Sequence, residues 1–247
     1  MQWRVHEFDS IDSTNTWVKN QGLQGATQGL VARADFQTAG KGRLDRTWEA
    51  PPRSSLLTSI LLRPEVDPAQ QYLVPVAVAL AARAALVRLC GLRPELKWPN
   101  DLVVGNAKLG GLLAESLVDV NSKSALVVGL GVNLTWPGPR GAGSTCVRDH
   151  AGVTLDPRAV LDLLLEELEH RLSLLVQNGS TQLRNELSSA LGTLGQHVRV
   201  EGPRDTVEGV ARRINEFGRL EIETSSGLRV IEVGDITHLR SSEESTT

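Results

Sequence analysis

Cysteine is scarce in this sequence of 247 residues. The two cysteines, Cys90 and Cys146, have no CxxC spacing, and no cluster of histidine and cysteine lies around either one. A disulfide framework and a cysteine-ligated metal centre are therefore excluded as the basis of the fold. We expect two reduced thiols, as in a cytosolic protein, one of them buried and the other in a loop.

Positive charge is not in surplus either, since 26 Lys and Arg residues face 29 Asp and Glu residues, for a net charge of −3. This balance argues against nucleic acid as the main partner. The longest uncharged apolar run, Leu73 to Ala82, is about half of the ~20 residues that span a bilayer. The N-terminus has no apolar core of the signal-peptide type. We therefore expect a cytoplasmic protein that binds neither DNA nor membranes.

The composition, 40% hydrophobic and 22% charged, is that of an ordinary globular protein. Period-two and helical patterns alternate along the first part of the chain, which predicts a domain that contains both strands and helices. The predicted strands are residues 3–8, 30–36, 55–62, 96–104 with a break at Trp98-Pro99, 108–117 and 125–133. A first short helix is predicted to begin at Asp12 or Ser13, which would cap it. The other predicted helices span 68–90, 156–177 and 181–191. Pro75 implies a kink or a later start in the second helix.

The pattern changes near Leu194. Five short strands separated by turn residues follow, at about 197–201, 207–214, 219–223, 228–233 and 235–239, and they predict a small barrel. We therefore predict a domain of residues 1–194, a small domain of residues 195–240 and a disordered tail of residues 241–247. Residues 137–152 are rich in glycine and proline and predict a mobile loop.

A basic, glycine-rich segment, Q-T-A-G-K-G-R-L-D-R-T-W, spans Gln37 to Trp48. Gly40 and Gly42 allow a ligand to approach the backbone closely. Three cationic side chains, those of Lys41, Arg43 and Arg46, could hold a phosphate or an acyl phosphate. Trp48 offers a flat face to a purine. A plain solvent-exposed hairpin is the alternative interpretation of this segment.

Four other short segments carry polar or glycine residues at strand and helix ends. They are Ser13-Thr14-Asn15, Lys97-Trp98-Pro99-Asn100-Asp101, Lys108-Leu109-Gly110-Gly111 and Gly129-Leu130-Gly131-Val132-Asn133. Helix capping is one interpretation of the first segment, and the other is that its hydroxyls and the free backbone N–H groups of the helix start hold a small polar ligand group. A turn is the simple interpretation of the second segment. Glycines inside strands usually mark a close approach of backbone or ligand, and a flat pocket wall follows from their position in adjacent strands.

Together these five segments, in this order, resemble the biotin protein ligases over residues of about 5 to 135, and the C-terminal strands resemble that family's SH3-like barrel. The resemblance implies an α+β fold, with the class II synthetase-like mixed sheet and helices of biotin and lipoate ligases. It also implies a two-step reaction, in which biotin and MgATP give biotinyl-5′-AMP and a lysine of a carrier protein then accepts the biotinyl group. The implied acceptor is a biotin carboxyl carrier domain of an acyl-CoA carboxylase, and the protein is either a monomer or a homodimer.

The resemblance also implies roles for individual residues. The biotin-binding residues are Ser13, Thr14, Asn15, Gln37, Gly40, Lys41, Gly42, Arg43, Lys108, Gly111, Gly129 and Gly131. The residues for ATP and the adenylate are Arg43, Arg46, Trp48, Lys97, Asn100, Lys108 and Asn133. The catalytic residues are Lys41, Arg43, Asp101 and Lys108. Asp101 either helps to hold Mg²⁺ or orients the incoming lysine.

The glycine-rich segment departs from the G-R-G-R-R-G-R pattern of several relatives. Lys41 replaces the first arginine, Leu44 a basic residue and Asp45 the third glycine, and we expect Asp45 to pair with Arg46. Retention of the reactive intermediate is therefore in doubt. About a dozen residues precede Ser13, so we expect no N-terminal helix-turn-helix domain and no operator binding.

Three other interpretations remain. A lipoate ligase or octanoyltransferase shares the fold. A biotin sensor without catalysis would keep the pocket, although Lys41, Arg43, Asp101 and Lys108 are all present. An SH3-like interaction module would leave the glycines within the strands unexplained.

Overall fold

A seven-stranded mixed sheet organises the computed structural model, which describes residues 1–178, 180–202, 205–232 and 234–239. Its strands are β1 (Arg4–Phe8), β2 (Leu30–Ala34), β3 (Ser55–Leu62), β4 (Glu95–Lys97), β5 (Asp101–Val104), β6 (Ala107–Val118) and β7 (Ser124–Asn133). Their order in the sheet is β1-β2-β3-β7-β6-β5-β4. Only the β1–β2 pair is parallel among these neighbours. The long strand β7 therefore lies in the centre, between β3 and β6.

Helices cover both faces of this sheet. They are α1 (Thr14–Leu23), α2 (Leu73–Cys90), α3 (Val147–Ala151), α4 (Pro157–Asn178) and α5 (Thr181–Ala190), with a 3-10 turn at Pro68–Gln70. One face packs against α1 through a small cluster that includes Val18, Leu61 and Val127. The larger apolar cluster lies on the other face, where α2 and α4 cover the remaining side chains of β3 and β7.

The C-terminal strands form a separate five-stranded antiparallel sheet. They are β8 (His197–Glu201), β9 (Thr206–Ile214), β10 (Leu220–Thr224), β11 (Gly227–Ile231) and β12 (Asp235–His238), in the order β11-β10-β9-β8-β12. The predicted α+β class and the five short strands are confirmed. The predicted disordered tail, residues 241–247, lies outside the described residues.

Several local predictions are confirmed and one is incomplete. The strand Ser55–Leu62 has the predicted bounds, and all eight of its residues are buried, as expected for a buried strand. The second helix has the later start, at Leu73, so Pro75 lies in the first turn, where its missing N–H breaks no helical hydrogen bond. The loop at 137–152 contains the short helix α3, which at five residues is too short to show a period.

The segment Pro68–Cys90 is long and apolar enough, by length and composition, to cross a membrane. The longest uncharged apolar run in the sequence ends at Ala82, because the charged residue Arg83 follows it. Just over half of the segment is buried inside the protein, against α4 and the sheet, which is the usual position of a central core helix.

A buried carboxylate closes the hairpin between β6 and β7. The backbone N–H groups of Asn121 and Lys123 donate to Asp119 Oδ1 at 2.8 and 3.0 Å, and Arg63 Nη2 lies 2.8 Å from Asp119 Oδ2. The hydrogen bond from Lys123 is the largest cause of a lowered pKa for Asp119, and Arg63 adds to it against the opposing effect of burial.

The Asp119→Asn variant should be less stable than the native protein at pH 7. A lowered pKa in the folded state means that the stability is present above the ordinary carboxyl pKa, about 3.9, and is lost as the pH falls through the lowered folded value. The difference in unfolding midpoint between the two proteins should therefore shrink below about pH 4. Thermal or urea unfolding between pH 3 and pH 7 measures it, and a constant difference would contradict this role.

Candidate active site

The register of three central strands brings small residues into two adjacent rows. The first row is Ser59, Gly129 and Leu113, and the second is Leu57, Gly131 and Gly111, in β3, β7 and β6 respectively. Residues directly opposite each other in paired strands point to the same face of the sheet. Because Gly131 and Gly111 lie side by side, this face has a flat floor without side chains. The floor lies on the side that carries α1.

The indole of Trp48 lies across this floor. A Cβ atom added at Gly131 would lie 2.5 Å from Trp48 Cε2, and one added at Gly111 would lie 3.3 Å from Trp48 Cζ3. The backbone of Trp48 is held by Gly40, whose carbonyl accepts a 2.9 Å hydrogen bond from Trp48 N. A side chain at Gly40 would meet Trp48 O at 2.3 Å. The glycine-rich segment therefore folds back over the sheet and forms one wall of a cleft, with Lys41, Gly42 and Trp48 in its lining.

The N-terminus of α1 forms the polar end of the cleft. Ser13 caps the helix in extended conformation, and its Oγ accepts from Thr16 N. Thr14 N and Thr14 Oγ1 donate to Gln37 Oε1 at 2.8 and 3.0 Å. Ser13, Thr14 and Asn15 are all buried. Ser13 therefore caps the helix, as the capping interpretation predicts. Ser13, Thr14 and Asn15 also line the cleft.

These contacts fix which groups of the polar end donate and which accept. A backbone N–H can only donate, so the atom of Gln37 beside Thr14 N is its oxygen, and the Gln37 Nε2 donor lies on the other side. The Thr14 hydroxyl has one hydrogen, which goes to Gln37, so the contact of 2.8 Å with Ser59 Oγ is donated by Ser59. Ser59 then offers the cleft an acceptor and no donor.

Two further groups complete this pattern. Asn15 Nδ2 donates to Glu115, and Asn15 Oδ1 is a buried acceptor without a partner. The Ser13 oxygen accepts from the helix, so its hydrogen is free to donate. The polar end thus presents two donors, from Ser13 and Gln37, and two acceptors, from Asn15 and Ser59. A planar urea, with one carbonyl oxygen and two N–H groups, complements this set.

Cationic groups occupy the opposite end. Lys41 lines the cleft, and Lys108 Nζ lies 5.7 Å from the Trp48 ring centroid and 2.7 Å from Asp101 Oδ1. Arg43 Nη1 donates to Asn100 Oδ1 at 3.0 Å. The cleft can therefore hold an anionic group at this end and a neutral polar group at the other.

Two hydrogen bonds to Leu112 hold Asn100 in place. Its Nδ2 donates to Leu112 O at 2.8 Å, and Leu112 N donates to Asn100 O at 2.9 Å. The turn between β4 and β5 that contains Trp98-Pro99 is thus the support that positions Arg43.

Five of the predicted nucleotide-binding residues do not line this cleft, namely Arg43, Arg46, Lys97, Asn100 and Asn133. Asn133 is buried at the end of β7, where its Nδ2 donates to Thr145 O at 3.0 Å. Lys97 lines a second cavity beside α2 and α5, together with Arg43, Asn100 and Asp101. Arg46 reaches the C-terminal sheet.

The expected pair between Asp45 and Arg46 is wrong, because Arg46 pairs with Asp235 of β12 instead. Asp235 is 189 residues away in sequence, so no local pattern could indicate it. Leu44 and Asp45 have positive φ values of 54° and 58°. Aspartate tolerates this left-handed conformation, whereas a leucine there costs about 1–2 kcal/mol.

No group of three or more His, Cys, Asp and Glu side chains that could hold a metal occurs within the described residues. Asp101 is a single carboxylate at the cationic end, which is the arrangement expected where Mg²⁺ is bound mainly by substrate phosphates and one or two carboxylates.

Sequence reasoning missed three residues of the polar end, namely Ser59, Glu115 and Lys19. A usable signal existed for Glu115, since the period of two in β6 places it on the same face as Gly111 and Leu113. Its partner Asn15 lies on a helix 100 residues away, and no pattern links the two.

The fold and this cleft suit a small ligand with a neutral polar group at one end and an anionic group at the other. Residues 7–133 match the biotin/lipoate A/B protein ligase family, and residues 193–239 match the biotin protein ligase C-terminal domain. The chain belongs to the biotin/lipoate A/B protein ligase family.

Individual relatives agree with this assignment. The chain is 34% identical to the biotin–[acetyl-CoA-carboxylase] ligase of Mycobacterium tuberculosis over 92% of this chain and 86% of that protein. It is 30% identical to the enzyme of the same name from Paracoccus denitrificans, over 91% and 96%. The biotin protein ligase of Aquifex aeolicus, solved in complex with biotin and ATP, superposes with a TM-score of 0.81 at 26% identity, over 96% of this chain and 99% of that chain.

The Gly131→Ala variant should displace the Trp48 indole from the floor, because the added methyl group would lie 2.5 Å from Trp48 Cε2. The near-ultraviolet circular dichroism of the indoles should change as a result. The same substitution in a Trp48→Phe background is the matched control and should give little of this change. An equal change in both backgrounds would contradict the packing described.

Proposed function

We propose that the protein activates biotin with ATP to form biotinyl-5′-AMP and pyrophosphate, and then transfers the biotinyl group to a lysine of a biotin carboxyl carrier domain. The observation that carries the proposal is the pattern of two donors and two acceptors at the polar end of the cleft. The ureido ring of biotin has the complementary set. The dithiolane ring of lipoate and the alkyl chain of octanoate have no N–H or carbonyl group to offer there. The polar groups of Ser13, Asn15, Ser59 and Gln37 would be left without partners, and the first three of these residues are buried.

In the first step an oxygen of the biotin carboxylate attacks the α-phosphorus of ATP. A new P–O bond forms, the bond to the bridging oxygen breaks, and pyrophosphate leaves. Lys41, Arg43 and Lys108 at the cationic end would neutralise the negative charge that grows on the phosphoryl oxygens. Asp101 would help to hold Mg²⁺, which supplies further positive charge to the phosphates.

In the second step the amine of the acceptor lysine attacks the acyl carbon of the adenylate. An amide bond forms, AMP leaves with the electron pair of the C–O bond, and the nitrogen loses a proton. Both nucleophiles come from substrates, so the protein needs no nucleophile of its own and acts by position and charge. Asp101 would either help to hold Mg²⁺ or orient this lysine.

The names of two relatives support one class of acceptor. The enzymes of Mycobacterium tuberculosis and Paracoccus denitrificans are named for acetyl-CoA carboxylase, and this supports a carrier domain of an acyl-CoA carboxylase as the partner. We place the reaction in the cytoplasm, where such carboxylases and ATP are available, and propose that a monomer or a homodimer carries it out.

Pyrophosphate exchange into ATP tests the first step. With Mg²⁺ present, we expect exchange that depends on added biotin and is absent with lipoate or octanoate, because only biotin satisfies the polar end of the cleft. Exchange with lipoate instead would move the protein to the other branch of the family. Biotin binding without exchange would make it a sensor.

The Arg43→Ala variant should keep its affinity for biotin but lose adenylation, because the guanidinium stabilises charge that develops at phosphorus and lies away from the polar end. Loss of one such donor typically lowers kcat by about 10²–10³-fold. Single-turnover formation of biotinyl-5′-AMP measures this rate, and calorimetry measures the affinity.

The matched control is Arg212→Ala, which removes the same side chain from an exposed ion pair with Glu223 in the C-terminal sheet. That variant should adenylate at the native rate. A nearly native rate for Arg43→Ala would remove this residue from the mechanism.

A further inference from the structure

A carboxylate lies between Asn15 and Lys19, one turn apart on α1. Asn15 Nδ2 donates to Glu115 Oε2 at 2.5 Å, and Lys19 Nζ lies 2.5 Å from Glu115 Oε1. Glu115 belongs to β6 and is partly buried, with 26% of its side chain exposed. Asn15 is 4% exposed. Each oxygen of the carboxylate thus has one donor from the helix.

This contact determines the orientation of the Asn15 amide. A side-chain amide can present either its NH₂ or its oxygen in a given direction, and the two forms have nearly the same shape. A carboxylate offers acceptors and no donor, so only the NH₂ group can face Glu115. Asn15 Oδ1 must then face the cleft.

The position of Asn15 Oδ1 is equally well defined. A Cβ atom added at Gly129 would lie 2.8 Å from it, so the glycine provides the space that the oxygen occupies. This oxygen is buried and has no hydrogen-bond partner within the protein. A buried acceptor without a partner is costly unless a ligand supplies the donor.

We propose that Glu115, supported by Lys19, is a positioning residue that determines specificity for a cyclic urea by fixing Asn15 Oδ1 as an acceptor in the cleft. The inference rests on the proposed function, since the donor it requires is an N–H of the ureido ring. Glu115 itself does not touch the ligand and acts through Asn15.

The Glu115→Gln variant should reverse the polarity of Asn15. The Lys19 ammonium can only donate, so it would take the oxygen of the new amide and leave the NH₂ group facing Asn15. Asn15 would then turn its oxygen to that NH₂ group and present its own NH₂ to the ureido N–H. Two donors would face each other, and we expect the Kd for biotin to rise about tenfold or more, the effect of one lost hydrogen bond.

A second substitution should restore binding. In the double variant Glu115→Gln with Asn15→Asp, the new carboxylate accepts from the new amide with one oxygen and presents the other oxygen to the cleft. We expect a Kd for biotin within about threefold of the native value. The matched control, Glu115→Gln with Asn15→Ala, has no acceptor to restore and should stay weak.

The measurements are the Kd for biotin by calorimetry, the KM for ATP and the thermal midpoint of each variant. The proposal predicts that only the Kd for biotin changes and that only the Asn15→Asp partner reverses the change. A native Kd for Glu115→Gln, or a double variant as weak as the single one, would overturn it. A structural role alone would instead lower the thermal midpoint without this reversal. Failure of the native protein to bind biotin would overturn the proposed function itself, and that outcome is distinct from the others.

Discussion

The pairing of β7 with β3 and β6 is the constraint on which the rest of the site depends. The side chains of a strand alternate between two faces, so a shift of one residue in this register would move Gly129 and Gly131 to the opposite face. The floor would then carry leucine and valine side chains, and Trp48 would have nowhere to lie. The apolar cluster beneath the sheet holds the register, because Val128, Leu130 and Val132 are buried there.

The cleft divides recognition from chemistry along its length. At one end α1 meets the sheet, and hydrogen bonds among polar side chains leave a defined set of free donors and acceptors. At the other end Lys41, Arg43 and Lys108 provide the positive charge that stabilises an anionic intermediate. The Trp48 indole, which lies across the glycine floor, forms an apolar wall between the two ends. Such a wall suits an apolar chain, which needs close packing and no polar partner.

The glycine-rich segment is attached at several points of different strength. Trp48 packs on the floor, and Arg43 reaches the turn that contains Asn100. Arg46 extends to Asp235 in the C-terminal sheet, but both side chains are substantially exposed, and an ion pair of this kind contributes at most about 1 kcal/mol. Leu44 and Asp45 adopt a left-handed backbone without glycine. The segment is therefore anchored firmly at its ends and weakly at its tip.

The sequence by itself determined the elements and the motifs. The mainly apolar run at 55–62 indicated β3, the glycines inside β6 and β7 indicated a close approach, and Ser13 marked the start of α1, because these signals depend on neighbours along the chain. Only the tertiary structure decided that Glu115 holds Asn15, that Trp48 lies on Gly131, and that Arg46 pairs with Asp235. Each of these contacts joins residues far apart in sequence, and strand register and helix packing, which arise from the whole core, bring them together.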